Sequence, residues 1–307
     1  MERHEGTFLT LSKRFHHMSD RIAVIGGSGA YTLLQNGSFT GERVGSIGTP
    51  FGESQPVYRF AVSDVEFLFL SRHGEKGYQV SAPFVNYRAN IWALKELGAA
   101  RIISWSGPGA IDDSLTIGQY VLPDDLLDET KRRAYTFFEG LGIGFVRQNP
   151  VFCPQLRASA SAVLSDLDAL HRDTGTYVCT EGPRLETPAE IRKFKMLGGD
   201  LVGMTLVPEV FLAKELEMCY MPICYVTNYA EGIRASRFVP GVLFEGLLSD
   251  DEKCAVDAAV NRFPEIIREL VAAVSGQERT CACGRLMERY RRRGDIGADW
   301  RTWIERR

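Results

Sequence analysis

Apolar and polar positions along the chain follow two periods that take turns. A short apolar run at 22–25 predicts a first β-strand, which ends in Gly26-Gly27-Ser28-Gly29. Runs at 57–62 and 65–70, separated by Ser63-Asp64, predict a β-hairpin. Between 84 and 98 the period lengthens: Tyr87, Ile91, Leu94 and Leu97 share one helical face, and Gly98 supplies a stop. A strand over 101–105 follows at once. Further pairs are a helix over 155–167 with a strand over 176–179, and a helix over 188–197 with a strand over 201–202. A third pair is a helix opening at Pro208 with a strand over 223–226. Pro188 and Pro208 stand where the first helical turn tolerates a missing N–H. A last long helix over 250–274 is expected on the outside.

Helices alternating with strands in this way predict an α/β fold, a mixed and largely buried sheet flanked by helices. No linker, repeat or low-complexity stretch interrupts it before residue 275, so a single domain is expected over 18–275. Residues 1–17 are polar and lack the apolar stretch of a secretory signal; they are expected to be a disordered extension ahead of Met18. Residues 276–307 read as a basic C-terminal tail, with eight Arg against four acids over 285–307.

Composition adds exclusions. With 307 residues, 45% hydrophobic and 24% charged, the chain is neither disordered, collagenous nor a coiled coil. Its longest apolar runs, such as 65–70, fall far short of the ~20 residues of a membrane span. A net charge of −3 creates no basic field for nucleic acid or a membrane surface, so an anion would need a local positive site. Of seven Cys, Cys179, Cys219 and Cys224 sit in apolar stretches and read as buried thiols, as in a reducing cytoplasm. Cys281 and Cys283 either pair or stay reduced, and without two more ligands they make no zinc site.

Three strand ends carry candidate chemistry. Gly26-Gly27-Ser28-Gly29 is either a tight turn or a loop whose N–H groups cradle an anion. It lacks the Lys of a P-loop, and Thr32 breaks the dinucleotide-binding spacing, which removes the main case for a nucleotide-binding oxidoreductase. Ser71-Arg72-His73-Gly74 leaves an apolar strand where ligand crevices form; it offers a planar fork and an imidazole to phosphate, or else a surface pair. Ser106-Gly107-Pro108-Gly109 is the third. The other His residues (4, 16, 17 and 171) have neither metal nor triad spacing.

Glu181-Gly-Pro-Arg-Leu-Glu186-Thr-Pro, Gly203-Met204-Thr205-Leu-Val-Pro208-Glu209 and Thr227-Asn228-Tyr229 follow in order. Together with Val85-Asn-Tyr-Arg-Ala-Asn-Ile-Trp-Ala-Leu94 they resemble the trimeric purine nucleoside phosphorylases, with the methylthioadenosine phosphorylases as the closest branch. The resemblance spans about residues 22–273. It implies a single domain built on a mixed, twisted and partly barrel-like sheet, a homotrimer, and cleavage of a purine nucleoside by phosphate. Ser28, Arg72, His73, Ser106, Gly107 and Thr205 fall on the family's phosphate contacts, and Met204 where a methionine packs under the ribose. Leu185 takes a place often held by a base-stacking Phe. Phe145 matches a residue that reaches into the neighbouring subunit's site. No metal or organic cofactor is implied.

Base-site positions depart from the methylthioadenosine branch. That branch carries Ser where this chain has Glu186, Asp where it has Asn228, and a second Asp where it has Ala230. Glu186 with Asn228 resembles instead the branch acting on inosine and guanosine. A 6-oxopurine offers N1–H to a carboxylate and O6 or N7 to an amide donor, the latter stabilising the leaving base. Adenine would leave the carboxylate facing an acceptor, at ~1–3 kcal/mol, roughly ten- to a hundred-fold in rate. No His lies beyond His171, and 239–243 is apolar, so the sugar's far end favours a 5′-methylthio group and 5′-methylthioinosine, with inosine and guanosine as the other candidates. For the tail, a solvated helix or a trimer contact is expected rather than RNA binding.

Overall fold

The computed structural model describes residues 21–27, 29, 39–62, 64–235 and 239–304. The extension expected over 1–17, and Ser28, lie outside them. An eight-stranded sheet has at its centre β1 (Arg21–Gly26), parallel to β6 (Val65–Ser71) on one side and to β7 (Ala99–Ser106) on the other. β14 (Cys219–Tyr225) extends the parallel core beyond β7. Every residue of β1, β7 and β14 is buried, which is why these strands read as continuous apolar runs rather than alternating ones. The predicted hairpin is β5 (Val57–Val62) against β6, with β2 (Thr40–Gly45) at the edge and the small pair β3 (Gly48–Thr49) and β4 (Gly52–Glu53) nearby.

A second, five-stranded sheet contains β10 (Asp125–Glu129), β12 (Thr176–Thr180), β13 (Leu201–Gly203), β8 (Gly109–Ala110) and β15 (Asn228–Tyr229). The chain crosses repeatedly from the first sheet to the second within a few residues. β7 passes into β8 through Gly107-Pro108, and β14 into β15 through Val226-Thr227. β9 (Tyr120–Val121) leads likewise into β10, and β11 (His171–Arg172) into β12. The carboxyl ends of the first sheet's parallel strands therefore open onto the second sheet, the place where α/β folds bind ligands.

Helices cover both sheets: α1 (Tyr87–Glu96), α2 (Pro154–Asp166), α3 (Pro188–Met196) and α4 (Leu206–Glu215). Asn86 caps α1 by accepting from the Ala89 N–H at 3.1 Å, and Thr187 with Glu190 forms a capping box at α3. The helix expected over 250–274 is two, α5 (Asp250–Asn261) and α6 (Phe263–Val274), because Pro264 belongs in a first turn. On α6, Phe263, Ile266, Ile267, Leu270, Val271 and Val274 form one buried stripe.

The segment after residue 275 packs onto the core. Within it Met287, Tyr290, Ile296 and Trp303 are buried, with Tyr290 on the short helix α7 (Glu288–Arg293). Arg291 makes a two-bond pair with Glu217 at 2.6 and 2.9 Å, and Arg301 pairs with Glu96 at 2.9 Å. The Arg residues of the tail thus frame an apolar seam, and through residue 304 the tail is part of the domain rather than a solvated appendage.

Candidate active site

One cavity lies where the two sheets part. Gly27 reaches it from β1, Arg72 and His73 from β6, Ser106 and Gly107 from β7, and Asn228 and Ala230 from the end of β14 and from β15. The second sheet adds Leu185 and Glu186 after β12, and Met204 and Thr205 after β13. Ten predicted site residues therefore share one cavity although they come from five separate stretches of sequence. Phe145 does not join them: its side chain is 78% exposed, and its N–H donates to the Tyr290 hydroxyl at 2.8 Å.

Arg72 lines the cavity with most of its donors already engaged. Its fork is turned on Glu209, with Nε donating to Oε2 at 2.9 Å and Nη2 to Oε1 at 2.7 Å. Nη2 also donates to Ser104 Oγ, and Nη1 to the Trp105 carbonyl at 2.9 Å. Both partners are fully buried, and a guanidinium there needs a counter-charge. Burial works against its charge, but Glu209 more than offsets this and holds the Arg72 pKa above its usual value. One N–H of Nη1 is left for a ligand. It lies beneath Gly27, where any side chain would meet the Trp105 carbonyl and this guanidinium.

Beside it, His73 is buried and its ring stacks on Tyr78, centroids 4.1 Å apart. Burial, and then the charge of Arg72, push its pKa down to about 4, so the imidazole is neutral near pH 7. Nδ1 donates to the Val80 carbonyl at 2.8 Å, which leaves Nε2 as a bare lone pair. The cavity floor is a group of hydroxyls: Ser106 Oγ is 3.3 Å from the Tyr177 hydroxyl and 3.4 Å from Thr205 Oγ1. Thr205 precedes α4, whose continuous helical turns start only beyond the extended Val207 (φ −104°, ψ 133°).

At the other end, Glu186 Oε1 accepts from Thr180 Oγ1 at 2.5 Å, leaving Oε2 open. The Asn228 amide is oriented by its neighbours. Thr227 Oγ1 donates to its Oδ1 at 2.7 Å, and its Nδ2 donates to the Tyr229 carbonyl at 2.9 Å. A second N–H on Nδ2 remains available. The amide fits because residue 109 is glycine; a Cβ there would come within 3.0 Å of Nδ2.

The sequence model of the family described as the phosphorylase superfamily matches residues 21–272. The 6-oxopurine nucleoside phosphorylase of Pyrococcus furiosus is 38% identical over 272 residues, covering 86% of this chain and 96% of that protein. The chain belongs to the phosphorylase superfamily. The probable S-methyl-5′-thioinosine phosphorylase of Methanothermobacter thermautotrophicus is another relative, 40% identical over 262 residues, 85% of this chain and 87% of that one. Among solved structures, a methylthioadenosine phosphorylase from an antarctic soil metagenomic library matches with a TM-score of 0.76 at 29% identity, over 88% of this chain and 91% of that chain.

In this member of the phosphorylase superfamily several site residues escaped the sequence. Tyr177 lies in a strand that reads as apolar, yet it lines the cavity with its hydroxyl beside Ser106. Glu209 is an acid within an apolar helical stretch, a signal that could have marked it as the partner of a buried cation. Arg133 gives no such signal, since 130–150 has no period. It is buried and donates to the carbonyls of Thr180, Glu181, Met204 and Val207, binding together the two loops that carry Glu186 and Thr205. At the far side Phe244 lines the cavity, one residue beyond the apolar stretch 239–243, whose Val239, Val242 and Leu243 are exposed.

Proposed function

We propose that this protein cleaves the glycosidic bond of 6-oxopurine nucleosides with inorganic phosphate, releasing the free base and a ribose 1-phosphate. One observation carries this: in a single cavity, Glu186 keeps a carboxylate oxygen open while Asn228 is held as an amide donor. Glu186 accepts N1–H of hypoxanthine or guanine, and Asn228 donates to O6 or N7 as the departing base gains charge. The activities named for the Pyrococcus and Methanothermobacter relatives support the same class.

Phosphate sits beneath C1′ over the hydroxyls of Ser106 and Thr205, with Ser28, the Gly107 backbone and the remaining N–H of Arg72 completing its contacts. The Nε2 lone pair of neutral His73 accepts a hydrogen bond from the P–OH of monohydrogen phosphate, and the proton stays on the phosphate. Met204 packs under the ribose, while Leu185 and Ala230 border the base. The bond stretches toward an oxocarbenium-like sugar as phosphate attacks; positioning and charge stabilisation do the catalysis, and neither step calls for a metal or an organic cofactor. Phe244 gives the 5′ end an apolar wall, which suits 5′-methylthioinosine beside inosine and guanosine. A homotrimer, in which Phe145 reaches a neighbour's cavity, and a reducing cytoplasm complete the proposal.

Base release should require phosphate and favour the 6-oxo form when inosine and adenosine, or methylthioinosine and methylthioadenosine, are compared by kcat/KM. Changing Glu186→Ser with Asn228→Asp should move the preference toward adenine by roughly ten- to a hundred-fold. A wild type that prefers the adenine form would instead make it an S-methyl-5′-thioadenosine phosphorylase. Release at the same rate without phosphate would make it a hydrolase.

A further inference from the structure

Cys281-Ala-Cys283 lacks two ligands in the sequence, and the fold supplies them. Cys153 stands at the amino end of α2, Cys219 opens β14, and Cys281 and Cys283 follow α6. The four sulfur atoms all lie within 4.8 Å of one another, with Cys219 and Cys281 3.4 Å apart. Four thiolates around one zinc ion at ~2.3 Å stand ~3.8 Å from each other, so the cluster is already close to a tetrahedral shell. All four are free thiols; Cys153 and Cys219 are buried and the other two half-buried.

The Cys281 loop is pinned to α2 by Gln155, whose Oε1 accepts from the Thr280 and Cys281 N–H groups and whose Nε2 donates to the Glu278 carbonyl. The cluster is remote from the nucleoside cavity, because Cys219 and Asn228 lie off opposite ends of β14.

We infer that Cys153, Cys219, Cys281 and Cys283 form a structural tetrathiolate site for zinc, which staples the tail to α2 and to the central sheet. Binding displaces the thiol protons to solvent and involves no change of oxidation state. A pair of disulfides within the same four residues is the competing outcome.

Metal analysis of the full chain, purified under reducing conditions and dialysed against metal-free buffer, should find about one zinc ion per chain. Cys281→Ser with Cys283→Ser should lose it, and Cys254→Ser, altered at an exposed cysteine outside the cluster, should keep it. Cobalt(II) added to the chelator-treated wild type should give the thiolate charge-transfer and intense visible bands of a tetrahedral sulfur site. That measurement decides the matter even if the double variant does not fold. Wild type with no more zinc than the double variant, absent cobalt–thiolate bands, or a mass after alkylation of unreduced protein showing these four residues oxidised would each overturn the inference.

Discussion

At His73 and Glu215 burial moves protons in opposite directions. His73 drops from 6.5 to about 4, so the folded chain refuses a proton that the unfolded chain accepts. Its contribution to stability is complete above pH 6.5 and is lost as the pH falls toward 4. Glu215 rises from 4.5 to about 7 through burial, although Thr136 Oγ1 and the Phe137 N–H donate to it at 2.6 and 2.8 Å. The folded carboxyl keeps its proton longer, so its contribution is present below pH 4.5 and lost as the pH rises through 7. Each effect is on the order of 3 kcal/mol at full extent, and between pH 4.5 and 6.5 they oppose each other. Stability relative to wild type should therefore rise for His73→Asn on going from pH 7 to 5, and rise for Glu215→Gln on going from pH 5 to 8. Urea midpoints measured across that range check both; variant curves running parallel to wild type would refute the assignment.

Between elements, Arg133 is the tie that sequence periodicity could not find. Replacing it by Met leaves buried carbonyls on two loops without donors, at ~1–3 kcal/mol for each one left unmatched. Arg133→Met should lower the urea midpoint and raise the KM for nucleoside, because Glu186 and Thr205 lose their common anchor. Wild-type KM in a destabilised variant would confine Arg133 to stability. The elements that were legible owe it to burial: β1, β7 and β12 are read as strands because both faces are covered. The sequence pattern starts β14 four residues late because Pro222 in a strand is a discouraging sign. The helix over 250–274 divides at a Pro264 whose place in a first turn only the fold reveals. Site residues were legible where a strand ends in polar and glycine residues. What Arg72 does with its fork was not, since Glu209 is 137 positions away.

For the whole molecule, the tail and the exposed aromatics belong to one question. A single chain leaves Phe84 and Phe145 75% and 78% exposed, although burying such a ring is worth about 1.5–3 kcal/mol. Phe145 is held in that position from behind. Its N–H donates to the hydroxyl of Tyr290, which the tail buries beside Met287. The segment beyond residue 275 therefore positions a residue that is useless to its own cavity, and this makes sense if a second copy receives it. Sedimentation should give roughly three times the 34.3 kDa chain mass. Phe145→Ala should leave the assembly intact while raising the nucleoside KM several-fold, and Tyr290→Phe, which keeps the buried ring and loses only the acceptor, should show a smaller rise in the same direction. A monomer with full activity, or Phe145→Ala kinetics identical to wild type, would mean that each chain completes its own site.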